Sequence, residues 1–347
     1  MKISWLSSLT DYIGIDLGST RVRVWGKTSG LIIDDAAAVA IDTRLQKVIA
    51  VGQEAAEMRG RVSSHIEVIF PMTADGIQDQ DIAAAMLRAI LQRVFRLGLF
   101  FRPVMAVSVH PSLGEPERRQ LIELFLQVGA REVILVDEVL AAAIGSGVPI
   151  ADASGSVFLH TGASVADVGM ISLGSVITSK TSKLAGQYLT QLFQHYIKEH
   201  YEVLLGEGRA EQLKVRTLGQ GEKLPARIRV SGQDIVTRTP KEIVIEGSSL
   251  QPLIEYIATQ YVVTVQSVLS DVPPELSQDV LDKGMLLSGG SAPLAGLATQ
   301  LSERLGIPVS VVDQPQLAVV KGLGQVLSNL RLFTQSVAYR STTQDAR

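Results

Sequence analysis

The chain has 347 residues, enough for about two domains and a sizeable core. Charged residues are 19% of the total and hydrophobic residues 46%, and a net charge of −3 argues against a general nucleic-acid binder, which needs a basic face. Zero cysteines exclude disulfides and thiolate zinc sites. No apolar run approaches the ~20 residues of a membrane span, and the N-terminus lacks a signal-peptide pattern, so the cytoplasm is the expected compartment.

In chain order, strand-like runs are expected at Ile13–Asp16, Val22–Trp25 and Leu31–Ile33, then a helix at Asp81–Leu97 and a strand at Val104–Val109. A helix at Pro116–Val128, a strand at Val133–Val136 and a helix at Glu138–Gly145 follow. The next strands are Val157–Leu159 and Val168–Ile171, with helices at Gly186–His200, Gly208–Leu213 and Pro252–Leu269. The chain closes with strand Met285–Leu287, helix Ala295–Leu305, strand Val309–Val312 and helix Leu317–Leu330. Alternating strands and helices predict α/β layers built on mixed sheets.

One hairpin occurs twice. "YIGIDLGSTRVRVWGK" and "GSVFLHTGASVADVGMISLGS" both run strand, glycine turn, strand, so the chain reads as a duplicated α/β half with a hinge near residues 148–154. A glycine turn can aim backbone N–H groups at a phosphate because glycine permits close approach. In the first turn, Asp16 could hold magnesium through water while Gly18, Ser19 and Thr20 line phosphates. In "GMLLSGGSAPLAGL", the turn formed by Gly289, Gly290 and Ser291 would let a flat ring or a phosphate approach ahead of a helix N-terminus. Glu138, at a strand-to-helix junction, is placed to orient a water or simply to suit the helix dipole. "HYIKEH" puts His195 and Glu199 on one helical face beside His200, but its spacing matches no zinc-protease helix and reads as a solvated face.

Order and spacing of these motifs resemble the actin, sugar-kinase and heat-shock chaperone ATPase superfamily, and within it the MreB-like bacterial actins. "IGIDLGST" is similar to the first phosphate motif. "AVGQEAAEMRGRVSSHIEVIFPMTADGI" is similar to the stretch running from AVG to R-P-M-x-D-G. "PERRQLIELFLQVGAREVILVDEVLAAAIGSGVPI" resembles the E-R-R, G-A-R-E-V and E-E-P-x-A-A-A-I-G signatures. "GEGRAEQLK" resembles the ribose and adenine segment, and "VPPELSQDVLDKGMLLSGGSAPLAGL" the adenosine motif.

The resemblance implies an actin-like ATPase fold: two duplicated α/β domains, mixed sheets flanked by helices, around a nucleotide cleft. The first domain would take 1–150 (core 1–30 and 73–150, small subdomain 31–72), with helices from 320–340 returning to it. The second would take 151–320 (core 151–185 and 255–320, small subdomain 186–254), leaving 341–347 as a frayed tail. ATP or another purine nucleotide with Mg2+ is the implied cofactor. Asp16, Gly18, Ser19 and Thr20 would face phosphates and metal, and Glu138 would orient the attacking water. Glu211 and Lys214 would contact ribose and adenine, Gly289, Gly290 and Ser291 would lie under the adenosine, and Gly322 and Gly324 fall in the final helix-start motif.

The second phosphate motif departs from the family pattern D-I-G-G-G-T-T-E. Here it reads His160-Thr161-Gly162-Ala163-Ser164-Val165-Ala166-Asp167. Gly162, Ala163 and Ser164 keep the phosphate-facing positions, but a histidine replaces the metal-side acid and Val165 replaces a threonine. Gln187 and Thr190 stand where the family has Asp, Val139 where it has Pro, and Arg21 and Val22 where it has Asn-Thr. Arg21 is a candidate to supply part of a metal's charge. The losses gather at the γ-phosphate end, so nucleotide binding is expected to be weakened or altered and hydrolysis weak or lost.

Two segments suggest a membrane surface. "MKISWLSSL" places Ile3, Trp5, Leu6 and Leu9 along one helical arc, either an interfacial helix or a staple on the body. Leu99, Phe100 and Phe101 lie in an apolar loop that resembles the family's insertion loop. The expected function is a cytoskeletal filament on the inner face of the cytoplasmic membrane, guiding cell-wall synthesis and rod shape. Implied partners are further copies of the chain, a paralogous bacterial actin and cell-wall elongation proteins. The competing classes are a non-polymerising actin-fold adaptor that docks a membrane protein complex and, less favoured, a small-molecule kinase.

Overall fold

In the computed structural model the described residues are 12–95, 102–150, 152–218, 223–330 and 339–342. They divide into two compact units. One is drawn from Met1–Ala151, Leu173–Ser175 and Leu317–Arg347, the other from Asp152–Ser172 and Val176–Gln316.

The first unit centres on a six-stranded mixed sheet, in the order Tyr339–Thr342, Glu132–Asp137, Val104–Val109, Tyr12–Leu17, Arg21–Gly26 and Gly30–Ala36. Strands 12–17, 104–109 and 132–137 run parallel, and 12–17, 21–26 and 30–36 form successive antiparallel hairpins. "VMAVSV" at 104–109 is buried throughout, the near-continuous apolar run of a central strand covered on both faces. "RVRVWG" at 21–26 alternates instead, with Val22 and Val24 buried and Arg21, Arg23 and Trp25 on the other face.

Helices Gln80–Gln92 and Glu115–Val128 pack beside one another, and helices Glu138–Gly145 and Ala318–Ser328 do the same. That second contact runs backbone against backbone: a Cβ on Gly322 would lie 1.8 Å from the Ala141 carbonyl, and one on Gly145 would lie 1.9 Å from that of Ala318. Helix 80–92 begins at Asp79, whose carboxylate accepts from the Ile82 amide at 2.9 Å. It ends five residues before the expected Leu97. Arg93 leaves the helix to give its guanidinium to Asp35 at 2.5 Å and to the Val51 carbonyl at 2.8 Å. A small sheet, ordered Lys47–Val51, Val39–Asp42 and Ile66–Ile69, joins helix Gln53–Met58 in this unit.

The second unit holds a five-stranded sheet ordered Ser175–Ser182, Ala166–Ser172, Ser156–Thr161, Met285–Gly289 and Val309–Val311. The first two pairings are hairpins, and 156–161, 285–289 and 309–311 run parallel. Helices Gly186–Tyr201, Glu207–Arg216, Gln251–Leu269, Pro274–Lys283 and Leu297–Leu305 belong to it, with a small sheet of Val203–Leu204, Arg227–Asp234 and Pro240–Glu246. Helix 251–269 buries Leu253, Ile254, Ile257, Ala258, Tyr261, Val265 and Val268, a stripe at helical spacing. Helix 297–305 starts two residues later than the expected Ala295 because Gly296 adopts a left-handed φ of 76°. Among the described residues no helix is long and apolar enough to cross a membrane.

Candidate functional site

Each large sheet presents a glycine turn, and the two turns close with the same backbone bond. The Gly18 amide donates to the Arg21 carbonyl at 2.9 Å, and the Gly162 amide donates to the Val165 carbonyl at 2.9 Å. Glycine is sterically required in the second turn, where a Cβ would lie 2.8 Å from the Val165 oxygen. Both turns begin where a strand that runs parallel to its neighbour ends at its carboxyl edge, the ordinary place for ligands in α/β sheets.

In the first unit Asp16 is buried and has a partner on each carboxylate oxygen. Its Oδ1 accepts from the Ser108 hydroxyl at 3.0 Å, and its Oδ2 accepts from Arg23 Nη1 at 3.3 Å. Arg21, the sequence candidate for part of a metal's charge, is tied to Asp34 through Nε at 2.6 Å and to the Asp34 carbonyl at 3.1 Å. Arg23, not Arg21, reaches Asp16, because antiparallel register sets residues 16 and 23 directly opposite. Ser19 is buried beside the turn, and the Thr20 carbonyl accepts from the Ala37 amide at 2.9 Å.

Strands 104–109 and 132–137 end alongside strand 12–17 and bring Ser108, His110, Asp137 and Glu138 to the same edge. Glu138 opens helix 138–145. Burial pushes the Asp137 carboxyl up, against the pull of the Arg118 guanidinium 3.6 Å away. His110 is held below its ordinary value by burial, which outweighs the opposing charge of Glu138, and its Nδ1 pairs with Ser112 Oγ at 2.9 Å. Ser108 and Arg23 were not read from the sequence. The signal for Ser108 was its place at the end of a parallel strand, and that for Arg23 was the hairpin register.

In the second unit His160 is 6% exposed, its Nδ1 pairs with Ser288 Oγ at 2.9 Å, and the Thr161 hydroxyl donates to the Ser288 carbonyl at 2.9 Å. The start of helix 186–201 is docked on the turn. Gly186 N–H donates to the Gly162 carbonyl at 3.0 Å and Gln187 N–H to the Ala163 carbonyl at 2.8 Å, while Ser164 Oγ bonds Gln187 Oε1 at 3.3 Å. Gly186 brings the turn close to Lys214, whose Nζ would be 3.5 Å from a Cβ at that position.

Lys214 is 4% exposed and spends all three ammonium donors inside the unit: on the Gly186 carbonyl at 2.7 Å, Thr190 Oγ1 at 3.1 Å and Glu211 Oε2 at 2.7 Å. Thr190 Oγ1 also lies 2.5 Å from Glu211 Oε2. Glu211 is half-exposed, so of this pair only the carboxylate presents itself to solvent.

The glycine pair at the end of strand 285–289 splits into two kinds. Gly289 has a φ of +92°, and a Cβ there would lie 2.2 Å from the Thr161 carbonyl. Gly290 is exposed, and a Cβ there would meet nothing within 4 Å. The fold demands glycine at 289 and leaves 290 open. Ser291 is buried, and its carbonyl accepts from the Leu294 amide at 3.1 Å.

The structure thus groups Asp16, Gly18, Ser19 and Thr20 with Glu138 along one sheet edge. Within the other unit it groups Gly162, Ala163, Ser164, Glu211 and Lys214, with Gly289, Gly290 and Ser291 on the neighbouring strand end. Ile3, Trp5, Leu6, Leu9, Leu99, Phe100 and Phe101 lie outside the described residues.

Residues 10–335 match the MreB/Mbl protein family. The cell shape-determining protein Mbl of Bacillus subtilis is 33% identical over 319 residues, covering 92% of this chain and 96% of that protein. The cell shape-determining protein MreB of Escherichia coli is 32% identical over 323 residues, covering 91% and 92%. Among solved structures, MreB 5 of Spiroplasma citri bound to AMPPNP superposes with a TM-score of 0.87 at 23% identity, over 93% of this chain and 98% of that one. A MamK double helical filament gives a TM-score of 0.76 at 17% identity, over 91% and 98%. The fold is actin-like, and the chain belongs to the MreB/Mbl family.

Proposed function

We propose that this protein is a nucleotide-binding, filament-forming cytoskeletal protein that determines cell shape, and that its nucleotide hydrolysis is weak or lost. The family assignment supports the first part, since the relatives named above are cell shape-determining proteins and a solved neighbour is bound to AMPPNP. One observation carries the second part: the 162–165 turn keeps the backbone bond of the 18–21 turn while His160 stands at the position of Asp16.

Backbone amides contact a phosphate whatever side chains flank them, so binding tolerates such changes. Hydrolysis does not. It needs a positioned water and a compensated γ-phosphate. Glu138 would orient that water, but Val165 offers no hydroxyl to help hold it. Adenosine would be received by Gly290, Ser291 and the exposed carboxylate of Glu211, with Lys214 holding Glu211 in place.

On this reading the protein works at the inner face of the cytoplasmic membrane with further copies of itself, a paralogous bacterial actin and cell-wall elongation proteins. Ile3, Trp5, Leu6, Leu9, Leu99, Phe100 and Phe101 would be its contacts with lipid. A phosphate-release assay on the full chain tests the hydrolytic reading, and sustained ATP turnover at the rate of an active relative would overturn it. Sedimentation with and without nucleotide tests assembly. A monomer at all concentrations would favour a non-polymerising adaptor. Liposome flotation should fail for a chain lacking residues 1–9 and carrying Phe100→Ser and Phe101→Ser.

A further inference from the structure

The family resemblance implies magnesium near Asp16, and the donors found there do not fit it. Magnesium at a nucleotide keeps several waters and, besides the phosphate oxygens, relies on one or two carboxylates free to hold it or its waters. Asp16 is the one carboxylate of the first turn, and both its oxygens are already engaged, by Ser108 and Arg23. The second turn offers His160 instead of an acid, with its Nδ1 on Ser288. Among the described residues no group of three or more His, Cys, Asp or Glu could hold a metal ion.

What stands beside Asp16 is a fixed cation. Strands 12–17, 21–26 and 30–36 set Asp16, Arg23 and Asp34 in one cross-strand row, since 16 pairs with 23 and 23 pairs with 34. Arg23 lies 3.3 Å from Asp16 Oδ2 and its Nε lies 3.4 Å from Asp34 Oδ1, while Arg21 closes on Asp34 from the next position along the same face. Two guanidinium groups balance two carboxylates before any ligand arrives. Arg23 is 15% exposed, so solvent screens this charge little.

We propose that the Arg23 guanidinium takes the place of the divalent cation at Asp16, and that this protein binds its nucleotide as the metal-free polyphosphate. The proposal rests on the nucleotide-binding reading above. A guanidinium keeps its charge at every physiological pH and is well suited to phosphate oxygens. Paired with Asp16 at 3.3 Å, it neutralises the carboxylate that would otherwise repel a phosphate, and does so without a metal. A nucleotide that arrives carrying its own magnesium finds the Asp16 carboxylate already compensated by Arg23, so the metal gains no free anionic ligand there.

The test is a fluorescence titration of the full chain with a fluorescent ATP analogue, at constant ionic strength, in magnesium and in EDTA. Affinity in EDTA should equal or exceed affinity in magnesium. Arg23→Leu should weaken binding in EDTA by about tenfold or more, the loss of one charge-assisted contact, and should make affinity rise when magnesium is added. Arg23→Lys keeps a positive charge and should keep chelator-resistant binding, with melting curves showing that both variants fold.

Wild-type affinity that falls about tenfold or more in EDTA would overturn the proposal, since that loss is what removal of a required charge contact produces. So would manganese immobilised by the protein–nucleotide complex beyond the amount the free nucleotide binds. The absence of saturable binding in both buffers is a different result: it rejects the nucleotide-binding reading and this proposal with it.

Discussion

The two adjacent glycines at the end of strand 285–289 allow a clean separation of fold from ligand. Gly289→Ala meets two penalties. Its φ of +92° puts a Cβ in a region that costs an L-residue about 1–2 kcal/mol. That Cβ would also sit 2.2 Å from the Thr161 carbonyl and 2.7 Å from the Thr161 amide, both rigid strand backbone. Forcing an extra carbon into a packed site costs about 1–3 kcal/mol, so the sum is about 2–5 kcal/mol. At about 2–4 °C per kcal/mol for a unit of this size, the melting temperature should fall by about 4–20 °C. Gly290→Ala meets no atom within 4 Å and no positive φ, so its stability should stay within about 0.5 kcal/mol of wild type. If adenosine lies against Gly290, however, the added methyl collides with the ligand, and affinity should drop about 5- to 150-fold, a cost of about 1–3 kcal/mol. Differential scanning fluorimetry and nucleotide titration on the same samples read both effects. Equal melting temperatures for the two variants would refute the steric argument, and unchanged affinity in Gly290→Ala would remove the base from that turn.

Three further outcomes are expected. Gly322→Ala would bring a Cβ to 1.8 Å from the Ala141 carbonyl, so helices 138–145 and 318–328 must separate; the variant should lose about 3 kcal/mol or more in urea unfolding. His110 is depressed by burial, so the folded state binds fewer protons than the unfolded one: its stabilising contribution is complete above the ordinary value of 6.5 and is lost as pH falls below it. His110→Gln should therefore flatten the acid side of a plot of melting temperature against pH, and an unchanged slope would reject that assignment. His160→Asp sets a second buried carboxylate directly opposite Asp167, so this variant should melt below wild type in EDTA and recover part of the loss in magnesium, whereas wild type should be indifferent to magnesium.

Much of the fold was legible because its central strands are buried on both faces. Strands 12–17, 104–109 and 132–137 show apolar runs that need no partner to be recognised. Strands 175–182, 227–234 and 240–246 escaped notice because they are half-exposed. "RIRVSGQD" keeps Ile228 and Val230 inward, but arginines and polar residues between them break the run. Helix 274–283 was missed for a related reason: it sets only Leu276 and Val280 against the core, a stripe too short to stand out in the sequence. At the site, the glycine turns were legible as punctuation between strands, whereas the partners of Asp16 were not. Arg21 looked nearer in sequence. Which arginine faces Asp16 is decided by antiparallel register, and that depends on the turn closing between Gly18 and Arg21.

The same register explains how one hairpin can be kept twice while its side chains diverge. Positions 16 and 23 are opposite in the first turn, and positions 160 and 167 are opposite in the second. The first pair is Asp with Arg, the second His with Asp, so the carboxylate has moved from the entering strand to the leaving one. Neither change touches the amide-to-carbonyl bond that closes each turn at 2.9 Å. A phosphate held by backbone N–H groups senses the turn's shape, whereas a metal or an attacking water senses the side chains around it. Selection for assembly alone would preserve the first and leave the second free to change. On the proposed function, such a chain would keep a nucleotide as a structural ligand while the chemistry that times its release fades.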